Sequence, residues 1–364
     1  MTVEFELTQK REELKRQLAG GECKTSMDVM LDGIGHFIQK LTRGSKPPPF
    51  WYSAVVLILV PLSASLLISI LLGEFNTQNP KPLLLEIWVA GMVLAVVIIV
   101  KIYLDSVFAT WHDNLLNAIE AHKDLTNLGH WFAALCDVKR QIIFGLAYGV
   151  VVGSYGLIWV TAIIGGGGFG LPIFLLLMTF LAGIHIYYLF LFIALPVRFS
   201  RYQFKLYESD PSSSEVIDHL SNMSSTFVYI MAVSLALVTL FAGLWDLLDQ
   251  PLFIIPFILV TWAPLTILFI INQYALAKII TRAKWKKLIK IQAKIEALEA
   301  KENIVDKETM EAVNRLMDYH DRIKATRNSA LDFRAGLNFA NSLLLPLFAF
   351  VLGNLENILA RFNW

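Results

Sequence analysis

The sequence predicts an all-α fold, a polytopic membrane protein with seven transmembrane helices and a cytoplasmic helical bundle. Three observations predict it. The 364 residues are 56% hydrophobic and 17% charged, against nearer half and a quarter for a soluble domain. The apolar residues gather in runs of the roughly 20 that a spanning helix needs. The cations are also sided: of 31 lysines and arginines, 28 fall on the N-terminal region and alternate connectors, and Lys101 at the same end of span two, against Lys81 and Arg361 opposite. The positive-inside rule then places the N-terminus in the cytoplasm and the C-terminus outside.

The elements follow in order. Residues 1–49 are a charged N-terminal region, with "QKREELKRQL" where the apolar core of a cleavable signal would stand. Within it, Met27, Met30, Leu31, Ile34, Phe37, Ile38 and Leu41 share one helical face. That face either lies along the headgroups or packs on the cytoplasmic helices. "KPPPF" then stops the helix and feeds span one. The predicted spans are 50–73, 83–107, 141–164, 171–195, 223–247, 252–280 and 336–359. The links after spans one, three and five are short ("EFNTQNPKP", "GGGGFG", "DQP"), and those after two, four and six are longer and basic. Residues 50–280 thus form a six-helix transmembrane region with cytoplasmic links.

Lys101 and Asp105, at the inner end of span two, stand at i, i+4, in register for an ion pair. The link after span two reads as mostly helical, and "ESDPSSSE" at 208–215 reads as a turn followed by a Ser-capped helix. Cys23 and Cys136 are single, without a C-x-x-C partner, and read as ordinary thiols on the reducing side. Span six has no stop signal. It runs on through "NQYALAKIITRAKWKKLIKIQAKIEALEAKE", with Leu288, Ile291, Ile295 and Leu298 in a heptad-like, coiled-coil seam. Counted from Phe257 to Lys301, that rod is roughly 65 Å long. "NIVD" breaks it, with Asp306 as the next N-cap. Val313, Leu316, His320 and Ile323 then present the face of an antiparallel partner. Residues 281–335 therefore read as a cytoplasmic helical hairpin and 336–364 as the seventh helix.

Catalytic chemistry is not indicated, and the chain reads as no enzyme and as needing no cofactor. None of the seven histidines forms H-E-x-x-H or another close metal pair. His112, His122 and His130 are spaced by 10 and 8 residues and do not stack. "GGGGFG" lacks the Lys-Ser/Thr of a phosphate loop, and "GSYG" is not a nucleophile elbow. The intramembrane polar candidates are His185, expected to bond a neighbouring helix, and Asn272 and Gln273, suited to interhelical hydrogen bonds.

Two stripes remain. In "FGLAYGVVVGSYG", Gly145, Gly149 and Gly153 repeat every four residues. Each costs about 1 kcal/mol of helix stability relative to alanine, so something must gain from the bare backbone there. A helix of the same subunit, a second subunit and a pore are the three possible occupants. In the seventh span, Asn338, Ser342, Ala349, Gly353 and Glu356 share a stripe bordered by Leu345 and Pro346. The opposite side is Leu343, Leu344, Leu347, Phe350, Val351 and Leu355. The small, polar face either packs on the other helices or lines water, and Pro346 marks a kink. Glu74, Glu86, Asp246, Asp249 and Glu356 make the outer rim acidic, which concentrates cations.

In layout the chain resembles the insect odorant- and gustatory-receptor-like ion channels. The shared features are seven spans with an inside N-terminus and outside C-terminus, and helices prolonged into a cytoplasmic anchor before the last span. The family's short aromatic-and-glutamine signature is absent from Leu337–Trp364. The resemblance implies a tetramer whose last helix lines a cation pore. The expectation is therefore a homo-oligomeric channel or channel-like receptor of the plasma or bacterial inner membrane, with the lipid bilayer as partner and no nucleic acid. Its pore-lining candidates are Asn338, Ser342, Pro346, Ala349, Gly353 and Glu356. A membrane scaffold or sensor, and a secondary carrier using His185, Asn272 and Gln273, are the other readings.

Overall fold

A computed structural model describes residues 2–19, 22–44, 46–75, 80–164, 169–244, 251–301 and 307–328, together with Asn341, Leu344 and Phe348. The described chain is helical: α1 (Thr2–Ala19), α2 (Ser26–Thr42), α3 (Phe50–Leu71), α4 (Lys81–Thr110), α5 (Leu116–Ala118), α6 (His122–Leu135), α7 (Val138–Ile164), α8 (Gly170–Phe199), α9 (Glu215–Leu244), α10 (Pro251–Lys301) and α11 (Lys307–Ala325). Among the described residues the β structure is one isolated antiparallel bridge, Ile119 to Phe204. Among the described residues six segments are long and apolar enough to cross a membrane: Phe50–Leu71, Lys81–Ala118, Val138–Ile158, Gly170–Phe199, Glu215–Leu240 and Leu265–Ala300. The chain is a multi-pass membrane protein on that evidence. The predicted seventh span, apart from three exposed helical positions (Asn341, Leu344 and Phe348), lies outside the described residues.

The chain divides into two compact units. One comprises Arg16–Ala109 and Leu128–Phe192. In it α2 starts with a capping box: the Thr25 hydroxyl accepts from Asp28 N at 3.2 Å, and the Asp28 carboxylate accepts from Thr25 N at 2.9 Å. The amphipathic face of α2 then divides. Met27 and Leu31 are buried with Ala54 of α3 and Val97 of α4, whereas Phe37 and Leu41, a turn or more further on, are 66% and 75% exposed. The buried half packs on α3 and α4, both long and apolar enough to span, rather than on the cytoplasmic helices that the sequence suggested. Lys101 pairs with Asp105, as its spacing predicts, and also with Asp28 at 2.9 Å, which ties α4 to the start of α2.

Cys23 and Cys136 are joined in a disulfide, with Cα atoms 5.1 Å apart. This corrects the reading of two ordinary thiols. The partners lie 113 residues apart, so no local spacing reveals them and only the tertiary fold brings them together. Beside the bond, the buried Gln141 side chain accepts from Ser26 N at 2.7 Å and from the Tyr188 hydroxyl at 2.8 Å. It donates to Leu135 O at 2.6 Å. One amide thus fastens α2, the α6–α7 turn and α8 together, and its polar atoms are satisfied where water does not reach.

The other unit comprises Met1–Lys15, Thr110–Asn127 and the chain from Ile193 onward. A π-helical turn, Trp111–Leu115, buries both Trp111 and Leu115. Trp111 packs on Phe199, Phe199 on Tyr202 and Tyr202 on Phe204. The bridge is closed by Glu120 N to Gln203 O at 2.9 Å and Lys205 N to Ala118 O at 2.7 Å, and Arg11 donates to Ile119 O. Asp210 caps the short 3-10 turn Pro211–Ser213. Ser214 stands just before the following helix, where a serine cap is expected: its backbone oxygen receives Ile217 N and Asp218 N, while its hydroxyl takes Tyr207 N at 2.7 Å.

α10 is continuous over 51 residues. Its distal half pairs with α11 around Leu288, Ile291, Ile295 and Ile323, with Val313, Leu316 and Tyr319 against them. Tyr319 occupies the place expected of His320, one residue along; His320 faces its neighbour Asp321 at 3.1 Å. The turn expected at Asp306 lies outside the described residues.

Candidate functional site

The glycine stripe is occupied by α8. A Cβ on Gly145 would stand 2.9 Å from the Ile184 side chain and 3.1 Å from Phe180 O. One on Gly149 would stand 3.2 Å from both Phe180 N and Cα, and one on Gly153 would stand 2.6 Å from Thr179 Oγ1. The contacts descend α8 as they climb α7, so the two helices are antiparallel. Gly183 of α8 completes the seam, since its Cβ would lie 3.0 Å from the Gly145 Cα. Two bare backbones meet there, as close dispersion packing in lipid requires. This stripe is a packing surface within the chain.

His185 is buried, and its Nδ1 contacts Leu181 O at 2.7 Å, one turn back on its own helix. That corrects the expected bond to a neighbouring helix. The carbonyl can only accept, so Nδ1 carries the proton, and the buried Nε2 has no partner among the described residues. Asn272 and Gln273 are buried in α10, with Oδ1 and Oε1 likewise unpartnered among the described residues. Of the acidic rim, Glu86 is buried and accepts the Ser65 hydroxyl at 2.6 Å, and Glu74 accepts Phe169 N at 2.9 Å. Asn338, Ser342, Pro346, Ala349, Gly353 and Glu356 lie outside the described residues. No three His, Cys, Asp or Glu converge among the described residues.

A cavity beside α10 lies among the described residues, and sequence reading did not single it out. It encloses about 620 Å³ between α10 and the Tyr202–Glu208 segment. The bridge at Ile119–Phe204, the Ser214 anchor on Tyr207 N and the bond from Gln203 N to the Asp124 carboxylate at 2.8 Å hold that segment in place. The α10 wall begins at Ile279, two residues past an apolar stretch that runs uncharged from 265 to 277. Arg282, Lys286 and Lys290 follow at four-residue spacing, about 6 Å apart along the axis. Lys287 completes four cations, against Glu120 and Glu208 among the lining carboxylates.

The ion pairs are unevenly distributed. Lys286 faces Glu120 at 3.5 Å, and Lys287 pairs with Glu208. Lys287 lies also over the Tyr319 ring, 5.9 Å from its centre. The hydrogen bond from Lys287 and its charge hold the Glu208 carboxyl below its usual range. Arg282 donates to Arg201 O at 3.0 Å, and neither it nor Lys290 has a carboxylate partner among the described residues. Tyr202, on the opposite wall, is 4% exposed, and its hydroxyl is unpartnered among the described residues. Burial pushes that phenol up to about 12, so it stays a neutral donor. Trp285 and Ile289, also on the wall, are 59% and 65% exposed. The four-residue basic spacing in "RAKWKKLIK" was visible in the sequence. What was missing was the second wall, which arrives from 80 residues upstream.

Compared with protein-family models, with curated proteins and with solved structures, the chain matches none.

Proposed function

We propose that the chain is a homo-oligomeric membrane channel or channel-like receptor that conducts cations, with its seventh helix at the pore. The observation that carries this reading is the two-sidedness of 338–356. A spanning segment with Asn338, Ser342, Ala349, Gly353 and Glu356 on one face keeps that face from lipid, because unpaired polar groups in hydrocarbon are expensive. The continuous α10 supports it, since a helix of 51 residues carries the chain well beyond a bilayer and offers a rigid lever or anchor. Purified protein in planar bilayers is expected to conduct, and Ser342→Trp or Ala349→Trp to block or reshape the conductance. Electrical silence together with a monomeric mass would overturn the reading.

A second reading, a membrane scaffold or sensor, is favoured by the α10–α11 hairpin. Met310 and Met317 are seven residues apart on α11 and about half exposed, an adaptable apolar surface of the kind that takes a partner helix. On that reading Met310→Glu with Met317→Glu abolishes partner binding, and no conductance is seen.

A further inference from the structure

We propose that the cavity beside α10 is a binding site for an anionic phospholipid whose headgroup carries two phosphates. The cavity is amphiphilic along the axis of α10. Ile279 lines the end adjoining the apolar stretch, and the cations Arg282, Lys286 and Lys290 continue away from it with Ala283, Trp285 and Ile289 between them. A lipid seated in its own leaflet has the same order, with acyl carbons toward the hydrocarbon and phosphate toward water. Arg282 to Lys290 spans about 12 Å of helix, the scale of two phosphates rather than one.

Charge selects the sign. Glu120 and Glu208 face four lining cations, which leaves a surplus of two positive charges to meet an anion. Cations packed just beyond an apolar spanning run are the ordinary signature of an anionic lipid site. The exposed flanks agree. Trp285 and Ile289 are large and apolar on a helix face that otherwise reads as basic, and Tyr207 faces them from the other wall, about half exposed. Tryptophan and tyrosine favour the headgroup level, where one side is apolar and the other wet. A soluble phosphate compound would find the cations but leave these apolar surfaces uncovered. The site is argued from α10, the 202–208 segment and Glu120, and holds on either reading of the protein's function.

The test uses the full-length chain, delipidated in a neutral detergent and followed by native mass spectrometry during titration with cardiolipin, with phosphatidylcholine and with the deacylated cardiolipin headgroup. Cardiolipin is expected to be retained at least about 30-fold better than phosphatidylcholine, from a surplus of two positive charges. Arg282→Gln with Lys290→Gln should bring it down to the phosphatidylcholine level. Trp285→Ala should weaken it several-fold. Arg315→Gln, an exposed arginine of α11 outside the cavity, should leave it unchanged, and circular dichroism confirms that each variant is folded. Equal retention of the two lipids, or indifference to the double variant, would overturn the proposal. Displacement of cardiolipin by equimolar deacylated headgroup would also overturn it and assign the site to a soluble phosphate compound.

Discussion

The α7–α8 seam and the α10–α11 hairpin are both antiparallel helix pairs, and they are built on opposite chemistry. The seam is made of absences: Gly145, Gly149, Gly153 and Gly183 let backbone approach backbone to about van der Waals distance. The hairpin is made of bulk, with Leu288, Ile291, Ile295 and Ile323 filling the space between helices whose outer faces are charged. Solvent explains the difference. In lipid, burying a leucine gains little because acyl chains are as apolar as leucine, so close packing of small residues must drive association. In water, each buried leucine or isoleucine contributes about 2 kcal/mol from the hydrophobic effect alone. α10 is one unbroken helix whose sequence changes character at Lys278, uncharged from 265 to 277 and rich in lysine and arginine beyond.

The sharpest break is at the seam. Gly149→Leu places a side chain against the Phe180 backbone, which cannot rotate away, and is expected to cost more than about 3 kcal/mol in detergent unfolding. Gly153→Ala should cost much less, because the obstacles are side-chain ends, the Thr179 hydroxyl and Leu176 Cδ2, which can turn. Similar losses at both sites would show that the seam is not a backbone contact.

Within the same unit, removing the Cys23–Cys136 bond by paired serine substitution should cost about 2–4 kcal/mol, since it closes a long loop. Neither cysteine of the native chain should take a maleimide tag before reduction, and both should afterwards. The hairpin is tested by Lys284→Met. This lysine is 5% exposed and gives its ammonium to Lys324 O, Thr326 O and the Asn328 side chain at 2.7–2.8 Å, closing the C-terminal end of α11. Its loss should cost about 2 kcal/mol, with hydrogen exchange rising first at 320–328.

The smallest effect concerns charge. The carboxyl of Glu208 is held low by Lys287, so the pair is intact above the ordinary value of 4.5 and opens as pH falls through the lowered one. Glu208→Gln frees Lys287 at neutral pH and should tighten cardiolipin retention about fivefold. It should also remove the gain that acid produces in the native chain.

These sites differ in how far the sequence reveals them. Helical periodicity and apolar run length disclose the six described spans, the prolongation of α10 and most of its seam with α11, because each depends on neighbours within a few turns. The Lys101–Asp105 pair is legible for the same reason. Asp28 as a second partner of Lys101, the Cys23–Cys136 pairing and the Gln141 hub are not, since they join segments about 50 to 160 residues apart whose approach no local pattern encodes. Gly183 was hidden differently: it is a lone glycine in "LAGIHIYYLF", and only its opposition to Gly145 gives it meaning. The cavity beside α10 needed a wall contributed by a loop, and loops carry no periodicity to read.

The passage of one helix from lipid to water is tested most directly by spin labels placed singly along α10 in reconstituted bilayers. Positions 267, 270 and 274 should be accessible to oxygen and closed to a water-soluble nickel chelate. Positions 293 and 297 should show the reverse, with the crossover between 278 and 286. A nickel chelate that reaches 267 and 270 as freely as 293 would contradict the account.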